Sequence, residues 1–428
     1  MVAWRSKAGW EADTVGFPWN SAAIVPYRSG GKTVGHREKT PGPRRTGNSY
    51  NPSMALPPEV CIRGAGIVGR TLALLLARER VRVALVVPPA AQGKEDIRAY
   101  ALNTASRALL ESLRAWPDAA HATAVREMLV HGDEGGRVQF SAARQKVDAL
   151  AWIVDVPALE KQLADAVRFQ PQIEVVAEPV AAPLTVVCEG KASTTREALG
   201  VSYEVTRYPQ HAIAARLEAA QSHDGIARQW FNDKGEVLAL LPLDGTHGRT
   251  VALVWSADQL RAPELLAQGD EEFAAAVTEA SHNALGALRL TSERSAWPLA
   301  RAIADRWTGA MPGQPNRSWA LAGDAAHTVH PLAGQGLNLG LADAAELACV
   351  IKNRDYWRSV GDARLLRRYE RARRTDVLQM SLATDGLQQL FAHDLGPLQA
   401  LRNWGMRGFD RTRLVKHWIT AQAMGLKA

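Results

Sequence analysis

Val60-Cys61-Ile62 is followed by Gly64-Ala65-Gly66-Ile67-Val68-Gly69, then by a Leu- and Ala-rich run over residues 70–80 and a β-branched run over residues 81–87. Apolar strand, glycine turn, helix and second strand, in that order and within about thirty residues, make a dinucleotide-binding unit. The first glycine allows the tight turn, and the second lets backbone approach a pyrophosphate. The third lets helix and strand pack closely, while the helix N-terminus offers N–H groups and positive dipole to phosphate. Gly64, Gly66, Ile67, Val68 and Gly69 are therefore candidate cofactor-binding residues.

Such a unit ordinarily carries an Asp or Glu for the ribose hydroxyls roughly twenty residues after its first glycine. Here the second strand ends in Leu85-Val86-Val87-Pro88-Pro89, with no carboxylate. Either backbone and water hold the ribose, or nucleotide affinity is reduced.

The 428 residues are 46% apolar and 22% charged, which excludes wholesale disorder and leaves room for two or three domain-sized units. No apolar run approaches the roughly 18 residues that cross a bilayer, so a soluble or surface-bound protein is expected. Cys61, Cys188 and Cys349 lie in apolar stretches without CxxC spacing. Neither a disulfide framework nor a metal cluster is expected, and the compartment reads as reducing, the cytoplasm. The net charge is +7, but residues 1–53 hold Arg5, Lys7, Arg28, Lys32, Arg37, Lys39, Arg44 and Arg45 against Glu11, Asp13 and Glu38. Most of the excess belongs to that segment, so no nucleic-acid partner is expected of the folded body. Gly-Pro punctuation and the lack of a period predict a disordered or weakly ordered extension over 1–55, and Met54 is a candidate translation start.

Beyond the first unit, residues 96–116 read mostly as helix, 125–142 and 149–154 as strands, and 157–168 as helix. Residues 184–188 read as a buried strand. Past Gly200 short strands dominate, with one amphipathic helix over about 263–288, which suggests a separate substrate domain. The second informative stretch runs Trp319-Ala320-Leu321-Ala322-Gly323-Asp324-Ala325-Ala326-His327-Thr328-Val329-His330-Pro331-Leu332-Ala333-Gly334-Gln335-Gly336-Leu337-Asn338-Leu339-Gly340. It reads as a strand ending at Gly-Asp, a loop, and a helix with a glycine-rich start. An Asp there can accept bonds from ribityl hydroxyls, and the helix start can aim N–H donors at a flavin ring.

These stretches together resemble the FAD-dependent aromatic-ring hydroxylases of the p-hydroxybenzoate hydroxylase class, and within it the ubiquinone-biosynthesis hydroxylases. The resemblance runs from about residue 58 to the C-terminus, with further matches at Arg98-Ala99-Tyr100-Ala101-Leu102, Leu240-Leu241-Pro242-Leu243 and Tyr369-Glu370-Arg371-Ala372-Arg373. It implies an α/β fold: a Rossmann-type FAD-binding domain (56–122, 154–206 and 301–385), an inserted strand-rich substrate domain (123–153 and 207–300) and C-terminal helices (386–428). It implies FAD as cofactor, NADH or NADPH as co-substrate, and hydroxylation of a small aromatic or prenylated phenol by O2 through a flavin hydroperoxide. Arg98, Gly323, Asp324, Gly336, Leu337 and Asn338 join the cofactor-binding candidates. His327, Pro331, Gly334 and Gln335 become the catalytic ones; His327 and His330 are the titratable groups near the flavin, with a hydrogen-bonded loop histidine as the other reading.

The family's middle motif appears as Glu189-Gly190-Lys191-Ala192-Ser193-Thr194-Thr195-Arg196, so Glu189, Gly190 and Arg196 are cofactor-binding candidates too. Glu replaces Asp, adding a methylene that is expected to loosen the adenosine end, and the segment before it is short, 173–178 running almost directly into 184–188. A catalytically weakened relative acting as a binding or assembly component is the alternative that these departures motivate. Near the C-terminus, Leu414, Val415, Trp418 and Ile419 beside Arg411, Arg413 and Lys416 form a basic amphipathic stripe. It is a candidate for peripheral contact with an inner-membrane face or a biosynthetic partner, or for closing the core.

Overall fold

The computed structural model describes residues 56–88, 96–132, 136–329 and 335–392, with side chains to residue 380. The expectations for the N-terminal extension, for His330, Pro331 and Gly334, and for the basic stripe past residue 392 lie outside these residues.

Val60–Arg63 is an inner strand of a six-stranded sheet, with Val83–Val86 on one side and Leu184–Val187 on the other, both parallel to it. Ile173–Val176 and Gln314–Leu321 continue the parallel run, and antiparallel Thr308–Met311 closes one edge. Val60, Ile62, Leu85, Leu184 and Val186 pack with the helices Ile67–Arg78, Val156–Arg168 and Gly336–Lys352 in one core. Strands covered on both faces read as unbroken apolar runs, which is why these were visible without alternation. Each fully buried Leu or Ile contributes about 1.5–3 kcal/mol. Residues 177–183 join two strands of this sheet with no strand of their own, matching the short segment noted above.

A second, largely antiparallel sheet is built around the strand Tyr203–Ala219, which pairs with Thr250–Asp258 and Ser295–Ala304. Alternate residues Ile213, Ala215, Leu217, Leu253 and Trp255 pack against Leu265, Phe273 and Val277 of two helices. Those helices, Arg261–Ala267 and Asp270–Ala280, replace the single helix expected over 263–288. The break falls at Gln268-Gly269, where the Glu272 carboxylate accepts from the Gly269 N–H at 3.2 Å and starts a new helix. The helical reading of 96–116 is corrected in the same way. Ala99–Leu102 is a strand paired antiparallel with Ala151–Asp155, and the helix Thr104–Ser112 starts only after Asn103, whose side chain accepts from Ser106 N. Arg216 of the second sheet reaches this small sheet, with Nη1 2.7 Å from Asp155 and Nε donating to Ile97 O at 3.1 Å. Among the described residues no helix is long and apolar enough to cross a membrane.

Candidate functional site

The glycine turn sits where the strand Val60–Arg63 meets its helix. Gly64 has φ +105°, and a Cβ there would lie 2.4 Å from the Cys188 carbonyl oxygen; a Cβ on Gly69 would lie 1.9 Å from the Gly64 oxygen. A Cβ on Gly66 meets nothing within 4 Å. The helix has no side-chain cap, and its first backbone bond is Arg70 N–H to Gly66 O at 3.0 Å. The N–H groups of Ile67, Val68 and Gly69 thus precede the helical ladder, and the turn opens to free space at Gly66, which suits a pyrophosphate. Gly69→Ala is expected to destabilise the apoprotein by about 1–3 kcal/mol through overpacking against backbone, whereas Gly66→Ala should melt with the wild type. Thermal unfolding of the two variants checks this.

The second motif meets the first through Val68. A Cβ on Gly323 would stand 3.3 Å from Val68 Cγ2 and one on Gly340 2.8 Å from the same atom, so two glycines of the later stretch admit a side chain of the earlier one. Asp324 lies on the short 3-10 turn Gly323–Ala325, at the end of the strand Gln314–Leu321. Its backbone oxygen accepts from Tyr203 Oη at 2.8 Å. No described residue donates to its carboxylate. Burial raises this carboxyl above the usual carboxylate range, against the pull of Lys191, His327 and Arg98. A half-buried acceptor without a donor is what ribityl hydroxyls would satisfy, so the residues present fit FAD.

The middle motif forms the brace under this turn. Arg196 is 3% exposed, donates from Nη1 to Ala325 O at 3.3 Å and from Nη2 to Lys191 O at 3.0 Å, and lies 3.7 Å over the Tyr203 ring. Glu189 accepts from Ser193 Oγ at 2.7 Å, from Thr195 Oγ1 at 2.6 Å and from Arg63 Nε at 3.0 Å. Burial pushes its carboxyl up, but the bonds from Thr195 and Ser193, with Arg63, bring it below the usual range. Glu189 thus links Arg63 to the Ser193 and Thr195 hydroxyls. Gly190, at φ +78°, has open space where a Cβ would be.

Beneath the turn lies a charge cluster that the sequence reading missed. Asp343, fully buried in the helix Gly336–Lys352, accepts from Gly323 N–H at 2.9 Å and from Arg373 Nε at 2.7 Å, and lies 2.6 Å from His327 Nε2. Burial raises its carboxyl, but His327 and Arg373 together hold it below the ordinary value. His327 is 1% exposed and stacks on Trp307 at 5.0 Å; its Nδ1 has no hydrogen-bond partner. An aspartate flanked by Leu339, Leu341, Ala342, Ala344 and Ala345 was the available signal.

The remaining candidates are placed as follows. Asn338 is buried; its amide donates to Ala101 O at 2.9 Å, and its oxygen accepts from Asn103 N–H at 3.0 Å and Ser106 Oγ at 2.7 Å. It ties the glycine-rich helix start to the small sheet, with Gln335 Oε1 3.3 Å away. Leu337 packs on the main core, and a Cβ on Gly336 would meet nothing within 4 Å. Arg98 is half-exposed, paired with Asp96 at 2.6 Å and bonded to Tyr100 Oη at 3.3 Å.

The FAD binding domain model matches residues 165–383. The chain is similar to 3-demethoxyubiquinol 3-hydroxylase of Escherichia coli (strain K12), at 29% identity over 86% of this chain and 99% of that protein. It is also similar to ubiquinone hydroxylase UbiL of Rhodospirillum rubrum, at 29% identity over 86% and 89% of the two chains. Its fold is like that of p-nitrophenol 4-monooxygenase PnpA from Pseudomonas putida DLL-E4, with TM-score 0.67 and 17% identity over 87% of this chain and 99% of that one.

Proposed function

We propose, on the premise that this chain belongs to the FAD binding domain family, that it hydroxylates the phenolic ring of a ubiquinone precursor, using NADH or NADPH and O2. The observation that carries the reading is the Asp324 carboxylate, without a donor among the described residues, on a turn braced by Arg196 and Tyr203 and packed on Val68 of the glycine turn. The substrate class rests on the two ubiquinone-pathway relatives, one of them matched over nearly its whole length.

Bound FAD supplies electron transfer from the nicotinamide to O2 and insertion of one oxygen atom into the ring. The chain's own residues bind and orient. Gly64, Gly66, Ile67, Val68 and Gly69 would hold the pyrophosphate, Asp324 would accept from the ribityl hydroxyls, and Gly336 with its helix start would offer N–H donors to the flavin. In this reading His327 is a positioning residue: buried against Trp307 and bonded to Asp343, it holds the turn rather than the substrate. In this reading Arg98, half-exposed and paired with Asp96, would serve the nicotinamide co-substrate, and a prenylated phenol is the substrate.

The test uses holoprotein with NADH or NADPH, with and without a phenol carrying a short isoprenoid chain. Cofactor oxidation should accelerate with the phenol and yield hydroxylated ring with little hydrogen peroxide. Oxidation indifferent to every phenol, in protein that retains FAD, would favour the binding-component reading.

A further inference from the structure

Arg63 immediately precedes the first motif glycine, a position the glycine turn itself gives no role. Along its strand, Ile62 belongs to the helix-side core, whereas Cys61 packs with Val86 and Ala182 on the opposite face. Alternation puts Arg63 on the Cys61 face. Its Cα partners are Val86 on one neighbouring strand and Val187 on the other. It therefore stands across from the end of the second strand, one residue short of Val87, where a nucleotide-binding unit ordinarily presents its ribose carboxylate.

The side chain is held from one side only. Nε donates to Glu189 Oε1 at 3.0 Å, and Glu189 is itself fixed by Ser193 and Thr195. No described residue accepts from Nη1 or Nη2, and about a third of the side chain is exposed, 32%. A guanidinium anchored through Nε keeps its terminal donors in a fixed fork, the geometry that pairs with phosphate oxygens. A lysine there would keep donors but not a fixed fork, and a valine would offer no donor at all.

We infer that Arg63, oriented by Glu189, binds the adenosine diphosphate half of FAD and takes over from the carboxylate missing at Val87. The inference rests on the FAD reading above and deepens it. It also gives the Asp-to-Glu change in the middle motif a purpose, since the longer side chain reaches Arg63 while keeping its bonds to Ser193 and Thr195.

The experiment compares apoprotein of the wild type, Arg63→Ala, Arg63→Lys and Glu189→Gln by calorimetric titration with FAD, with riboflavin, which lacks the adenosine diphosphate half, and with ADP alone. Arg63→Ala should weaken FAD and ADP by about ten- to a hundredfold, the loss of a charge-assisted contact, and leave riboflavin unchanged. Arg63→Lys, which keeps charge but not the fork, should fall between, and Glu189→Gln should weaken FAD less than Arg63→Ala does. FAD and ADP affinities within twofold of wild type in Arg63→Ala would overturn the inference while leaving the FAD reading intact. Equal losses for FAD and riboflavin would also overturn it, since they would mark a distorted site. A wild type that binds neither flavin would overturn both readings.

Discussion

Asp324→Asn should stabilise the apoprotein at neutral pH and strip FAD from the purified protein. Burial has raised the Asp324 carboxyl, so ionising it costs the folded state. Stability from this group is fully present below the unfolded carboxyl value, about 3.9, and is lost as pH rises through the higher folded value. The amide removes that loss, so the melting advantage of the variant should grow from pH 4 towards neutrality. The same change removes the negative charge and replaces one of the two oxygens that would accept from the ribityl hydroxyls with an NH2 donor. A charged hydrogen bond contributes about 1.5–3 kcal/mol, so FAD should dissociate roughly ten to a hundred times more readily; Asp324→Ala should do the same. Unchanged FAD affinity in both variants would refute the assignment of Asp324.

Asp343→Ala should cost the most stability of any single change considered. It removes the shared acceptor of Gly323 N–H, His327 and Arg373 at a fully buried point. Breaking a buried charge pair by deleting one partner costs about 3–5 kcal/mol, which would lower the melting temperature by roughly 5–10 °C. The pH dependence runs opposite to that of Asp324. The folded carboxyl lies below its ordinary value, so its stabilisation is present above about pH 3.9 and lost as pH falls through the folded value. The gap between wild type and variant should therefore close in acid. Wild-type melting in Asp343→Ala at pH 7 would mean that the cluster holds nothing together.

The parts legible in the sequence were those whose signal is local. Gly64 and Gly69 stand at fixed offsets because a strand-to-helix turn and a close backbone approach leave no room for Cβ, Gly66 between them borders the open space, and Gly323-Asp324 ends a plainly apolar strand. What stayed hidden depends on register across the fold. Ala99–Leu102 is a strand only because Ala151–Asp155 lies beside it, a pairing with no trace in a helical-looking window. Tyr203 reaches the Asp324 oxygen because a 17-residue strand delivers it there. Arg373 meets Asp343 because two helices pack side by side. His327 drew notice as a titratable loop residue, but its stacking on Trp307 could not be read from spacing. The Glu189 bond to Arg63 likewise depends on where the folded strand places that guanidinium.

Isotopic oxygen tests ring hydroxylation most directly. Holoprotein supplied with NADH or NADPH, a prenylated phenol and oxygen-18 gas, in ordinary water, should yield hydroxylated ring carrying one heavy oxygen atom, in step with nicotinamide consumed. A ring that stays unlabelled while the heavy oxygen collects in hydrogen peroxide or water would contradict it.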